Sequence, residues 1–179
     1  MIRFGQPSPR SEFEREILPH LDAAYSLARF LLRNDQEAED VVQESALRAF
    51  RFFNNFRGEN SRAWFLRIVR NTAFTAMKRL HGYEAHVAFD EALHSPESMP
   101  NAGAAAQLDS TYDAQAVRAA IEQLPPEFRE VITLRELEDF SYKQIADVAN
   151  VPIGTVMSRL ARARTQLGQI LSRTFNRGT

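Results

Sequence analysis

The sequence predicts an all-α protein of two small helical domains, residues 1–82 and 113–179, joined by a flexible acidic linker, residues 83–112. Two observations carry this prediction. Apolar residues recur at helical spacing on both sides of the linker, and no stretch shows the alternation that is typical of strands. The linker contains prolines, a glycine and an alanine run but neither Lys nor Arg, a composition that favours a tether over a packed element.

The periodicity predicts seven helices. Asn34, with Glu37 three residues later, has the pattern of a capping box at the start of the second helix, and Ser61 is a natural N-cap for the third. The predicted helices cover residues 11–33, 35–54, 61–80, 114–123, 127–137, 141–149 and 153–172.

The stretch 141–167 predicts a helix-turn-helix with its bend at Asn150, a residue that tolerates the left-handed conformation. One apolar stripe lies on each helix: Ile145, Ala146 and Ala149 on the first, Val156 and Leu160 on the second. The other side of the second helix offers hydroxyls and guanidiniums to a DNA major groove. The candidate contacts are Thr155, Ser158, Arg159 and Arg162, with Arg164 as a phosphate contact or a solvated residue. The alternative is a plain helical hairpin with a solvated basic face.

The charge distribution indicates two separate surfaces for a polyanion, although the net charge is only −1. Residues 61–82 carry five basic side chains and no acid, and residues 143–179 carry six basic side chains against Asp147 alone. The segments between these patches are acidic. This pattern is typical of a protein that touches DNA at two places and another partner elsewhere.

The helix after Gly58 carries a basic stripe in which an amide and an aromatic ring are interleaved, as phosphate and base contacts require. The stripe consists of Arg67, Arg70, Asn71, Phe74 and Lys78. The preceding loop, 57–62, has the small polar residues that could hold a base extruded from the duplex. A solvated helix face and a simple connecting loop are the alternatives.

The helix at 35–54 predicts a protein-binding face. Its inward residues are Ala38, Val41, Val42, Ser45, Ala49, Phe50 and Phe53, and its outward residues are Asp40, Gln43, Glu44, Leu47, Arg48 and Arg51. Such a mixed acidic, amide and apolar stripe suits a partner that presents basic helices. An ordinary charged surface is the alternative.

Several function classes are disfavoured. The chain has no cysteine, its four histidines lack the spacing of metal ligands, and no nucleophile–base pair or phosphate-binding glycine loop can be inferred. We therefore expect no cofactor, no metal and no enzymatic activity. No apolar run is long enough to cross a membrane and no signal-peptide pattern is present, so we expect a cytoplasmic protein without membrane insertion.

Three segments together resemble bacterial sigma factors of the extracytoplasmic-function (ECF) class, a group of the sigma-70 family. DQEAEDVVQESALRAFRFFNNFRG resembles the segment that binds core polymerase, and ENSRAWFLRIVRNTAFTAMKR resembles the promoter −10 segment. LPPEFREVITLRELEDFSYKQIADVANVPIGTVMSRLARARTQL resembles the −35 domain. The resemblance implies a sigma-2-like bundle and a sigma-4-like helix-turn-helix domain, which act as a promoter-specificity subunit of RNA polymerase.

The resemblance also implies roles for matched residues. Core polymerase, through its β′ clamp helices, would contact Asp40, Val41, Gln43 and Glu44, and the β flap is a further contact. The −10 element would be bound by Arg57, Asn60, Ser61, Arg62, Arg67, Arg70, Asn71, Lys78 and Arg79, with residues 57–62 capturing a flipped base. The −35 element would be read by Thr155, Ser158, Arg159 and Arg162. The linker would run toward the active-site cleft, and an anti-sigma factor would control the protein.

Three other interpretations remain open. A stand-alone helix-turn-helix regulator would use residues 1–82 as a sensor or dimerisation domain, but such a domain does not need the second basic face. A DNA-acting enzyme, such as a recombinase with a helix-turn-helix tail, would need a nucleophile constellation before the linker. A pure interaction module would carry acids in place of the basic faces.

Overall fold

The computed structural model describes residues 8–57, 60–82 and 114–176. Eight α-helices are named in chain order, and the described residues contain no strand, so the all-α prediction is confirmed. They are α1 Pro9–Ile17, α2 Leu21–Leu32, α3 Asp35–Phe52, α4 Ser61–His81, α5 Ala114–Glu122, α6 Pro126–Ile132, α7 Tyr142–Ala149 and α8 Ile153–Asn176. The chain divides into two compact units, and the predicted linker lies outside the described residues.

The first unit is a bundle in which α2, α3 and α4 pack against one another and α1 packs against α4. Leu27, Leu31, Phe65, Leu66 and Val69 are fully buried at its centre. One continuous helix was predicted over 11–33, and that prediction was wrong. A 3₁₀ turn, Leu18–His20, separates α1 from α2, because proline at position 19 provides no amide hydrogen for a helical hydrogen bond.

Phe50, a predicted core residue, and Leu80 both lie at the surface of this bundle. Ala49 lies on the buried stripe of α3, and the next residue of a helix points about 100° away, so Phe50 is half exposed. Its ring packs against that of Phe13 in a T-shaped arrangement, with centroids 5.1 Å apart. Leu80 is half exposed because it lies in the last turn of α4, at the end of the bundle. Leu66 and Met77, which the sequence did not place in the core, are buried.

The second unit is built around α6 and α8, with α5 packed against both. Leu124, Val131, Ile132, Leu134 and Phe140 are buried there. The predicted helix over 127–137 is present, but it changes from an α-helix to a π-helix at Thr133. Residues Thr133–Leu137 form a π turn, in which the amide of Glu138 donates to the carbonyl of Thr133 at 3.1 Å. Asp139 then adopts a left-handed φ of 54°, and Phe140 enters the core.

Candidate functional site

The geometry of the helix-turn-helix follows from local hydrogen bonds. Ser141 and Gln144 form a capping box at the start of α7, with N···O distances of 3.2 and 2.8 Å. Asn150 ends α7 in the left-handed conformation at φ 55° and ψ 49°, as its residue type predicts. Val156, Leu160, Ala163 and Leu167 form the buried stripe of α8. The two helices and their bend are therefore present as predicted.

The predicted −35 residues on α8 have different environments. Thr155 and Ser158 are half-buried, and the Ser158 hydroxyl donates to the Thr155 carbonyl at 3.0 Å. Arg162 is exposed in the third turn of the helix. The Ser158 hydroxyl keeps its acceptor lone pairs while it donates to the backbone, so it can still accept a hydrogen bond from a base edge.

Arg159 faces the interior of its unit. Its side chain is only 17% exposed, and its Nη1 lies 3.9 Å from Oε2 of Glu130, a fully buried carboxylate on α6. A guanidinium held against a buried carboxylate stabilises that carboxylate and has little freedom to reach a base edge. The environment of Arg159 therefore favours a positioning role for α8 over the direct base contact that we expected.

Arg164 takes part in an ion pair within the second unit. Its Nε and Nη2 donate to Oε1 of Glu136, at 3.1 and 2.7 Å. Burial acts to lower the pKa of Arg164, but the hydrogen bonds to Glu136 and Tyr142 outweigh it and raise the pKa. This pair ties α8 to the π turn. A phosphate contact by Arg164 would have to compete with Glu136.

The basic stripe on α4 is at the surface. Arg67, Asn71, Lys78 and Arg79 are exposed, and Arg70 is half-buried. The guanidinium carbon of Arg70 lies 4.2 Å from the centroid of the Phe74 ring, and its Nη1 donates to Oδ1 of Asn71 at 3.3 Å. Arg70, Asn71 and Phe74 thus form one connected group that offers a cation, an amide and an aromatic ring on the same face.

Helix α4 begins at Ser61 as predicted, but its N-cap lies one residue earlier than predicted. Asn60 is the N-cap, because its Oδ1 accepts the amide hydrogen of Ala63 at 2.9 Å, and Ser61 is the first helical residue. The Ser61 Oγ lies 3.4 Å from Nε2 of His20. Burial and the positive charge of Arg62 lower the pKa of His20 against the opposing charge of Glu16, so this ring is neutral at pH 7.

The remainder of this loop is only partly described. Arg57 is exposed and Arg62 is half-buried, whereas Gly58 and Glu59 lie outside the described residues. Trp64 is half-buried and packs on Phe56 with ring centroids 5.0 Å apart. The packed rings of Phe56 and Trp64 lie beside this loop and support it.

The predicted partner-binding face of α3 is exposed at Asp40, Gln43 and Glu44. Glu44 accepts from Nε of Arg48 at 2.7 Å. Val41 is not on this surface, since it is buried beneath it. A cleft of about 450 Å³ lies between α3 and α4, lined by Asp40, Val41, Glu44 and Arg79 among others. Any contact of Val41 with a partner would have to be made through the floor of this cleft.

Two carboxylates that position the arginines of α8 were not identified from the sequence. Glu130 is buried in a helix of seven residues in which four consecutive residues, 129–132, are buried. Helical periodicity distinguishes a polar face from an apolar one, and a segment buried all round has no such contrast. Glu136 lies in the π turn, where the helical repeat no longer applies. Neither position carries a signal in a single sequence.

Among the described residues, no helix combines the length and apolarity that a membrane span requires.

Comparison with known proteins identifies the family. The sequence matches Sigma-70 region 2 over residues 17–82 and Sigma-70, region 4, over residues 114–167. It is 32% identical to the RNA polymerase sigma-H factor of Pseudomonas aeruginosa, covering 96% of this chain and 92% of that protein. It is 37% identical to the ECF RNA polymerase sigma-E factor of Haemophilus influenzae, over 79% of this chain and 77% of that one. The chain belongs to the ECF class of the sigma-70 family.

Other relatives of this sigma factor include ECF sigma factor SigE of Mycolicibacterium smegmatis, which is 31% identical over 94% of this chain. The chain spans 65% of the length of that relative. Among solved structures, it resembles the sigma factor RpoE in complex with the anti-sigma factor NepR from Bartonella quintana, with a TM-score of 0.68 and 28% identity. That likeness covers 90% of this chain and 97% of the other. CnrH, in complex with the cytosolic domain of CnrY, shares the fold at a TM-score of 0.63 and 22% identity.

Proposed function

We propose that this sigma factor binds core RNA polymerase, directs it to promoters with matching −35 and −10 elements, and promotes melting of the −10 region. It lends recognition to the polymerase and carries out no catalytic step itself. The observation that carries the proposal is the presence of exposed basic faces on α4 and on α8, each within a region of the sigma-70 family. Two such faces suit two promoter elements.

The −35 element is assigned to α8. Thr155 and Ser158 are half-buried and Arg162 is exposed, and Arg162 is the candidate for bidentate guanine contact. Arg159 and Arg164 support the helix through Glu130 and Glu136. Recognition by α8 thus depends on a short set of side chains, held in place by two ion pairs.

The −10 element is assigned to α4 and the loop before it. Arg67, Lys78 and Arg79 are placed to contact phosphates, while the Arg70–Asn71–Phe74 group offers an aromatic surface and an amide to an unstacked base. Arg57, Asn60, Ser61 and Arg62 would receive a flipped base. Contacts made only with melted DNA offset the cost of unstacking.

Core polymerase is assigned to the exposed face of α3, with Asp40, Gln43 and Glu44 as the polar contacts. This acidic stripe complements basic helices such as those expected of the β′ clamp, and the β flap is a further expected contact with the polymerase. Control by an anti-sigma factor is supported by the likeness to RpoE, whose structure contains such a partner. The proposed site of action is the cytoplasm, where bacterial polymerase works.

The proposal is tested by adding the purified protein to sigma-free core polymerase and sequencing the transcripts made from genomic DNA. We expect discrete start sites with a shared pair of elements upstream. Core polymerase alone is the control. If the protein binds such DNA tightly by itself and does not associate with core polymerase, the proposal is wrong and a stand-alone regulator is the better interpretation.

A further inference from the structure

The first two turns of α8 expose apolar side chains that the core does not use. Ile153 is 46% exposed and Met157 is 47% exposed, and Ala161, one turn further on, is also exposed. These residues are spaced four apart and lie along one line of the helix. The buried stripe of α8 runs through Val156 and Leu160 instead, so the packing of the unit does not account for Met157.

The helix that carries this apolar line is rich in arginine, although Arg159 and Arg164 pair with Glu130 and Glu136. Helix α8 contains four arginines and no acidic residue, and Arg162 is exposed beside Ala161. A helix with this charge is complementary to a polyanion. In the DNA major groove, the apolar feature available to such a helix is the C5-methyl group of thymine.

The position of Met157 suits this contact. In a helix-turn-helix, the N-terminal residues of the second helix meet the base edges, and Met157 is the fifth residue of α8. Ser158 follows it directly and Arg162 lies just over a turn further along, and both carry polar groups that could meet DNA. Methionine is unbranched, so it can adjust its terminal methyl to a nearby group.

We propose that Met157 reads a thymine methyl group in the −35 element, with Ile153 beside it as a second apolar contact. This inference rests on the proposed function and adds a specificity determinant to it. Ile153 and Met157 are about 6 Å apart along the helix axis. That distance is about two base-pair steps, so we expect the contacted thymines to be within about two base pairs of each other.

The test begins with selection of −35 sequences from a randomised promoter library by the complete holoenzyme. Each thymine on either strand of the selected element is then replaced by deoxyuridine, which removes only the methyl group. For the wild type, we expect one such replacement to weaken promoter binding about fourfold, the effect of burying one methyl-sized group. In Met157→Ala, the same replacement should have no effect.

The matched control is Leu137→Ala, which removes an equally exposed apolar side chain of the same unit outside α8. It should respond to deoxyuridine as the wild type does. The inference is overturned if wild type and Met157→Ala respond alike, or if Met157→Ala loses core or anti-sigma binding while the methyl has no effect. The latter outcome would make the apolar line a protein contact.

These outcomes are distinct from failure of the proposed function. If the holoenzyme selects no −35 element at all, the proposed function fails. If it selects one and transcribes from it but ignores thymine methyl groups, only the role of Met157 is wrong.

Discussion

Two arginines that lie three residues apart on α8 have different environments. Arg162 is exposed toward the proposed groove, whereas Arg159 is mostly buried against the carboxylate of Glu130. We therefore expect the two arginines to have different roles, with Arg162 contacting DNA and Arg159 supporting the helix. Substitution of Arg159 and substitution of Arg162 are therefore expected to have different effects.

We expect Arg159→Ala to lower the free energy of unfolding by about 1–3 kcal/mol, because it weakens the pairing of a buried carboxylate. Arg162→Ala should change stability by less than about 0.5 kcal/mol. It should, however, cost about 1–3 kcal/mol of discrimination at one −35 base pair. Urea denaturation and transcription from mutated −35 sequences measure the two effects. Equal stability of the two variants would contradict the assignment of Arg159.

Asn60 has two possible roles, as helix cap and as base contact, and these can be separated. Asn60→Asp retains an N-cap acceptor but removes the amide donor, whereas Asn60→Ala removes both and should cost about 1 kcal/mol of stability. We expect Asn60→Asp to fold normally and to open promoters slowly, with a premelted bubble template restoring activity. Normal permanganate reactivity of promoter thymines in Asn60→Asp would leave the residue with the cap role alone.

At the scale of the element, α3 presents an acidic face whose integrity does not depend on the core. The pair between Glu44 and Arg48 is solvent-exposed and contributes little to stability. We therefore expect substitutions on this face to leave the fold of the helix intact. Charge reversal on α3 therefore tests partner binding separately from folding.

Replacement of both Asp40 and Glu44 by Lys should abolish transcription by preventing association with core polymerase. Opposed like charges cost several kcal/mol, or about a 10³-fold loss of affinity. Circular dichroism should remain that of the wild type. Asp22→Lys, an exposed charge reversal on α2, is the control and should bind core polymerase normally. Co-elution of the double variant with core polymerase would remove these residues from the interface.

The bend between α7 and α8 depends on the left-handed conformation of Asn150. Asn150→Gly should be tolerated, because glycine adopts this conformation without strain. Asn150→Val should lower stability by about 1–2 kcal/mol and weaken −35 recognition, because a β-branched residue disfavours the conformation. Thermal unfolding and promoter binding of the two variants measure this. Similar behaviour of Gly and Val would show that the bend tolerates other backbone conformations.

At the scale of the whole molecule, the net charge of −1 is the sum of two basic faces and of acidic segments elsewhere in the chain. Each basic face offers only a few contacts to phosphates. The acidic remainder limits nonspecific attraction to DNA, so promoter binding is expected to depend on assembly with polymerase.

We therefore expect the isolated protein to bind duplex promoter DNA weakly and the holoenzyme to bind it tightly. A strong dependence of affinity on salt requires roughly 6–10 phosphate contacts, more than either face supplies alone. Gel-shift titrations of the protein with and without core polymerase, at physiological salt, measure the difference. Nanomolar binding by the isolated chain would favour the stand-alone regulator.

The sequence by itself determined the helical class, most of the helices and the helix-turn-helix, because these depend on interactions within a few residues. The 3.6-residue repeat, the cap at Asn34 and the left-handed Asn150 are all of this kind. Tertiary structure decided the environments of Arg159 and Arg164, since Glu130 and Glu136 approach them from distant positions in the chain. It also decided the exposure of Phe50, Leu80 and Met157, because burial depends on which helices pack together and where the bundle ends.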